Sequence, residues 1–125
     1  MNESIRRLPD TELEVMQAIW DCAPPVSKTD IASIVYSAHP MAETTLQTLL
    51  TRLSEKNYLS VTIEKRKKYY SPLISREDYQ ISQSKSFYKK VCGGNLSAFA
   101  NALCEGGLTK EEIAELRKLL EEGQL

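Results

Sequence analysis

Apolar residues recur along this chain with two periods, and the places where the period changes divide it into elements. Leu13, Met16 and Trp20 fall at helical spacing, with Val15 and Ile19 widening the stripe, and predict a first helix from Pro9 or Asp10 to Trp20. Asp10, Glu12 and Glu14 lie near its N-terminus, where the helix dipole favours anions. Ala23-Pro24-Pro25 ends it. Ser27 reads as the N-cap of a second helix, with Asp30 at N3 and Val26 and Ile31 as a hydrophobic staple. Ile31, Ile34 and Val35 form its buried face, and His39-Pro40 stops it near Ala38. A third helix runs from about Ala42 to Lys56. Leu46, Leu49, Leu50 and Leu53 make its core face, and Thr44, Thr48, Thr51 and Glu55 lie opposite. Asn57 suits the left-handed residue that closes a helix.

The period then falls to two. Leu59, Val61 and Ile63 alternate with Ser60, Thr62 and Glu64, which predicts a strand with one apolar face. A second strand, Lys67 to Ser71, ends at Pro72. Lys65-Arg66 is poor chemistry for a two-residue hairpin turn, which favours Asn-Gly, so a longer or looser tip is expected. In the second strand Tyr69 and Tyr70 are expected to face opposite ways. Helical spacing returns after Ser75, an N-cap with Asp78 at N3 and an Ile74/Tyr79 staple. This helix is expected to reach about Cys92, with Tyr79, Phe87, Tyr88 and Val91 available for burial. Gly93-Gly94 breaks it. Asn95 caps a helix whose Leu96, Phe99, Ala100 and Leu103 share a face. After Gly106-Gly107, Thr109 and Glu112 open a last helix with the stripe Ile113, Leu116, Leu119 and Leu120.

Three helices followed by a hairpin, the third helix polar and Thr-rich on its outer face, is the arrangement of a winged helix-turn-helix. The fold class expected is therefore mainly α with a small β-hairpin wing, in two domains: residues 1–74 as the winged helix and 75–125 as a helical dimerisation domain. Three helices in about 50 residues make a poor independent core. Phe87, Val91, Leu96, Phe99, Leu103, Ile113, Leu116, Leu119 and Leu120 are therefore expected to be buried against a second copy, with helices interleaved. Packing onto the N-terminal domain is the alternative.

Charge sharpens this picture. The 125 residues carry a net charge of −1, yet the sign varies along the chain. Residues 1–26 are acidic. Residues 50–74 set Arg52, Lys56, Lys65, Arg66, Lys67 and Lys68 against only Glu55 and Glu64. A local basic stripe is what a phosphate backbone responds to, although a run of four cations also suits a solvated turn. Apolar residues at 42% and charged residues at 26% fit a soluble globular chain. No apolar run nears the roughly 20 residues of a membrane span, and no signal-like segment follows the charged N-terminus, so a cytoplasmic location is expected.

Composition disfavours an enzyme. Cys22, Cys92 and Cys104 form no CxxC, the one histidine is His39, and no GxSxG, GxGxxG or P-loop occurs. No catalytic residue, metal site or cofactor is expected. His39 reads as a loop residue near DNA, Cys22 as a small residue at a helix end, and Cys92 and Cys104 as buried spacers. A thiol or metal signal remains an alternative role for these cysteines.

The candidate chemistry is DNA recognition. Thr44, Gln47, Thr48 and Thr51 are placed to touch base edges in the major groove. Threonine offers a hydroxyl and a methyl, and glutamine can bond bidentately to adenine. Ser27, Lys28, Arg52, Lys65, Arg66, Lys67 and Lys68 are the phosphate candidates. The rival in another class is a winged-helix protein-interaction module, which would not need both a basic wing and a non-acidic recognition face.

Leu13-Glu14-Val15-Met16 with Trp20, the run Thr45-Leu46-Gln47-Thr48-Leu49-Leu50-Thr51-Arg52-Leu53, then Leu59 and Tyr70-Ser71-Pro72 resemble the penicillinase repressors. That family includes the methicillin-resistance and copper-responsive repressors. The resemblance spans essentially the whole chain. It implies a dimeric repressor of pseudo-palindromic operators with TACA/TGTA half-sites, controlling β-lactam resistance or related genes. It also implies C-terminal helices that swap across the dimer and a membrane sensor metalloprotease as partner. The family's cleavage position between Asn and Phe maps to Asn101-Ala102, where the Asn matches and the Phe does not. Lys65 stands where many relatives have Gly. The copper branch's terminal CxC pair is missing from Glu121-Glu122-Gly123-Gln124-Leu125, so copper sensing is not implied.

Overall fold

A computed structural model describes residues 5–123. Its elements run α1 (Asp10–Trp20), β1 (Val26–Ser27), α2 (Lys28–Ala38), α3 (Glu43–Glu55), β2 (Leu59–Glu64), β3 (Lys67–Pro72), α4 (Arg76–Ser86), a π-helical turn (Phe87–Val91), α5 (Leu96–Glu105) and α6 (Lys110–Glu121). The fold is mainly α with a small antiparallel sheet, as expected. The caps form as the sequence predicts. Ser27, Ser75, Asn95 and Thr109 each accept the backbone N–H three residues on. At Thr109 the Glu112 carboxylate returns the bond, completing a capping box. Asn57 adopts φ 66° just past α3.

Two compact units result, one ending at Ser82 and the other beginning at Gln83. In the first, α1, α2 and α3 pack over the sheet. Val15, Met16 and Ile19 of α1, Ile31 and Val35 of α2, and Leu46, Leu49, Leu50 and Leu53 of α3 are buried with Leu59 and Tyr70. The Val26/Ile31 staple is fully enclosed.

The sequence boundary at 74/75 shifts to 82/83, and the outer limits 1 and 125 lie outside the described residues. The shift has a physical cause. Tyr79 on α4 is buried in the first core, where its hydroxyl accepts the Leu8 N–H at 2.9 Å. Its ring lies 5.8 Å from that of Trp20 and 6.1 Å from that of Tyr58. The Trp20 indole N–H donates to the Ile74 carbonyl at 2.9 Å. The first turns of α4 thus close the N-terminal unit, and Tyr79 is not a residue of the second.

Three further expectations change. The hairpin tip is tight rather than loose. Glu64 pairs with Lys67, and Lys65 and Arg66 take φ 50° and 67°. That is the left-handed pair of a two-residue I′ turn, whose twist matches the strands. Strand pairing overrides a cost on the order of 1 kcal/mol for each non-glycine residue there. Next, Val26–Ser27 forms a short strand on β3, giving the order β1-β3-β2. Two residues are too few for a periodic signal. Finally, of the predicted apolar face of β2 only Leu59 is buried, while Val61 and Ile63 are exposed. The hairpin outruns the helices that could cover it. Tyr70 is buried and Tyr69 only partly so, as alternation requires.

Tyr58 carries a testable pH dependence. Its hydroxyl donates to the Arg6 carbonyl, and the phenol is pushed up to about 12, first by burial, then by Tyr79, with Glu12 adding and Arg6 opposing. The folded state therefore holds this proton more tightly than the unfolded chain. The contribution is complete below the ordinary value of 10.0 and is lost as pH rises toward about 12. Urea unfolding across that window should show a loss of up to about 2 kcal/mol that is smaller in Tyr58→Phe. Equal losses in both proteins would remove Tyr58 as the cause.

The second unit has no fully buried residue among α5, α6 and the π turn. Phe99 packs on Phe87 and Tyr88, with ring centroids 6.1 and 5.4 Å apart. Helix α4 gives way to the π turn instead of continuing unchanged to Cys92. Leu103, Leu108, Ile113, Leu116 and Leu120 border an open groove of about 350 Å³.

Candidate nucleic-acid interface

The core stripe of α3 turns its opposite face outward. Thr44, Thr48, Thr51 and Arg52 are exposed and Gln47 is half-buried. All four residues predicted to touch bases therefore lie on one accessible helix surface. Their hydroxyls and amide are partly engaged within the helix. The Thr48 hydroxyl donates to the Thr44 carbonyl at 2.9 Å, so its lone pairs and methyl remain for a ligand. The Gln47 side-chain amide donates to the Thr51 hydroxyl at 3.3 Å. One amide proton and the carbonyl oxygen of Gln47 stay free, which is the donor–acceptor pair a bidentate adenine contact uses.

Beside this face stands the hairpin. Gln47, Thr51, Ser54 and Glu55 of α3 and Val61, Lys68 and Tyr70 of the sheet border a groove of about 320 Å³. Lys65, Arg66, Lys67 and Lys68 are all exposed at or next to the tip. The I′ turn makes that tip two residues wide and places cations at both of them.

The other phosphate candidates are more committed. Ser27 lies in β1 with its hydroxyl accepting from Asp30 N–H. Lys28 pairs with Glu43 at 3.5 Å. This pair, invisible to local pattern, offsets the acid at the start of α3. Glu55 also borders the groove, together with Lys68. His39 lies against Glu14 at 3.1 Å, between α1 and the end of α2. Sequence reasoning also missed Ser54 and the exposed Val61 as groove residues, since both positions looked like ordinary element interior.

In the second unit Asn101 is exposed and Ala102 is half-buried within α5. Cys104 is exposed rather than a buried spacer, Cys92 and Cys22 are half-buried, none of the three forms a disulfide, and the Cys22 thiol donates to the Ala18 carbonyl at 3.4 Å. Among the described residues no group of three or more His, Cys, Asp or Glu could hold a metal ion. No described helix is long and apolar enough to cross a membrane.

The chain is 33% identical over 121 residues to a penicillinase repressor of Bacillus licheniformis, covering 96% of this chain and 94% of the relative. It is 29% identical over 121 residues to the methicillin resistance regulatory protein MecI of Mammaliicoccus sciuri, covering 96% and 98%. Among solved structures it is similar to the monomeric form of Bacillus licheniformis BlaI in complex with the blaP half-operator. That likeness has TM-score 0.51 and 32% identity, over 60% of this chain and 90% of the other. Residues 8–122 match the family model of the penicillinase repressors. With an exposed polar face on α3 beside a basic wing, and likeness along nearly its whole length, the chain belongs to the penicillinase repressor family of winged-helix transcriptional repressors.

Proposed function

We propose that this repressor binds, as a cytoplasmic homodimer, a pseudo-palindromic operator with TACA/TGTA half-sites that controls β-lactam resistance or related genes. The observation that carries the proposal is the outward Thr44, Gln47, Thr48 and Thr51 face of α3 beside the cationic tip of the wing. In this reading α3 enters the major groove and those four residues meet base edges. Arg52 and Lys65 to Lys68 meet phosphates, with Ser27 and Lys28 at the start of α2 as further backbone contacts. The similar repressor bound to a half-operator supports DNA as the partner.

The second unit pairs two chains, so both half-sites are held at once. Phe87, Val91, Leu96, Phe99, Leu103, Ile113, Leu116, Leu119 and Leu120 supply the apolar surface, several of them open to solvent in the single chain. A membrane sensor metalloprotease relieves repression by cutting within α5, at Asn101-Ala102. Loss of pairing then removes avidity and leaves the recognition helix intact.

Fluorescence anisotropy at several salt concentrations tests the DNA reading. One duplex carries a TACA/TGTA dyad and the other is scrambled. Tighter binding to the dyad, two chains per duplex, is expected. No binding to either at low salt would replace this reading with a protein-interaction module. Thr48→Ala should cost about 1–3 kcal/mol on the dyad and little on scrambled DNA. Equal losses on both would withdraw Thr48 from base contact.

A further inference from the structure

Ile63 lies near the end of the wing, 67% exposed, inside a strand whose alternation assigns it to the apolar face. Val61, two residues before it and on the same face, is 41% exposed and borders the groove shared with Gln47 and Thr51 of α3. Ile63 pairs across the hairpin with Lys68, which borders that groove too. The α3-facing side of the wing thus ends in two uncovered β-branched residues, with Lys68 across the hairpin from Ile63 and Lys65 and Arg66 at the adjoining tip. A surface meant only for phosphates needs no isoleucine there, and a protein partner would not call for a run of four exposed cations beside it.

We infer that Ile63, with Val61 behind it, packs on the deoxyribose walls of the minor groove next to the major groove occupied by α3. The inference rests on the DNA reading above and names a contact within it. Lys68 beside Ile63 and the Lys65-Arg66 tip complement the flanking phosphates. Sugar faces lining the minor groove are apolar, and proteins that enter it commonly use aliphatic side chains. Such a contact adds affinity without neutralising phosphate, so it leaves the counterion-release slope alone.

The test compares the wild-type chain, Ile63→Ala and Lys68→Ala by anisotropy on the dyad duplex across a salt series. Circular dichroism melts serve to confirm folding. Ile63→Ala is expected to bind about tenfold more weakly at every salt, as fits loss of most of an aliphatic side chain's burial. Its slope of log affinity against log salt should match wild type, whereas Lys68→Ala should flatten the slope by about one unit. Unchanged affinity in Ile63→Ala, while the wild type still prefers the dyad, would overturn this inference alone. A flattened slope in Ile63→Ala would overturn it too, by tracing the loss to displaced cations. Weakened self-association with unchanged DNA binding would assign the patch to a second copy and overturn it likewise. Failure of the wild type to prefer the dyad would count against the underlying DNA reading.

Discussion

Leu116→Glu is expected to lower affinity for a two-half-site operator by about 10²–10⁴-fold while leaving affinity for a single half-site unchanged. Leu116 borders the open groove of the C-terminal unit with Leu103, Leu108, Ile113 and Leu120. In one chain that groove has no lid, and α5 and α6 bury no residue fully. In the proposed dimer, pairing with another copy removes this surface from water, and a carboxylate trapped there would be desolvated without a partner. The N-terminal unit ends at Ser82 and keeps its own core, so under the proposed reading it should still bind one half-site. Sedimentation equilibrium reads the loss of dimer, and anisotropy on dyad and half-site duplexes reads the loss of avidity. A monomeric variant that still bound the dyad tightly would place the linkage between half-sites elsewhere.

The second large effect concerns the support of α3. Lys56→Ala is expected to destabilise the N-terminal unit by about 3 kcal/mol, lowering Tm by about 10–20 °C. The Lys56 ammonium lies 2.6 Å from the Glu12 carboxylate, tying the end of α3 to the first turn of α1. Glu12 is only 3% exposed, so removing its partner strands a charge away from water. Lys56 is partly open to solvent, which lets water replace some of the lost interaction and keeps the figure at the lower end of such losses. Replacing both residues, as Glu12→Leu with Lys56→Met, should recover most of the stability, because two apolar groups leave nothing unpaired. Thermal melts of the single and double variants decide it. A Lys56→Ala melt within a degree or two of wild type would mean the pair contributes little.

How far the sequence reached depends on the range of the forces involved. The helices, their caps, the strand pair and the core face Leu46, Leu49, Leu50 and Leu53 follow from local periodicity and from side chains that bond their own backbone three residues away. These terms act within a turn or two, so they are legible without a fold. The outward face of α3 follows from the same period, because burying one side of a helix exposes the other. The cationic run 65–68 likewise needs no structure to be seen.

Other features arise from contacts between distant segments. Tyr79 belongs to the first core because Leu8, Trp20 and Tyr58 surround it, which moved the boundary to Ser82. Glu12 is buried because Lys56 reaches it, and Glu43 is offset because Lys28 does. The two-residue tip forms against its own turn propensity because six paired residues on each strand outweigh it. The predicted burial of Val61 and Ile63 fails for a related reason. Alternation fixes which face a residue occupies, but only the length of the hairpin relative to its neighbours decides whether that face is covered. The sequence by itself determined the main helices, their caps, the strand pair and the outward face of α3. Only the tertiary structure decided the limits of the units, the buried ion pair and the uncovered apolar end of the wing, because each depends on which distant surfaces meet.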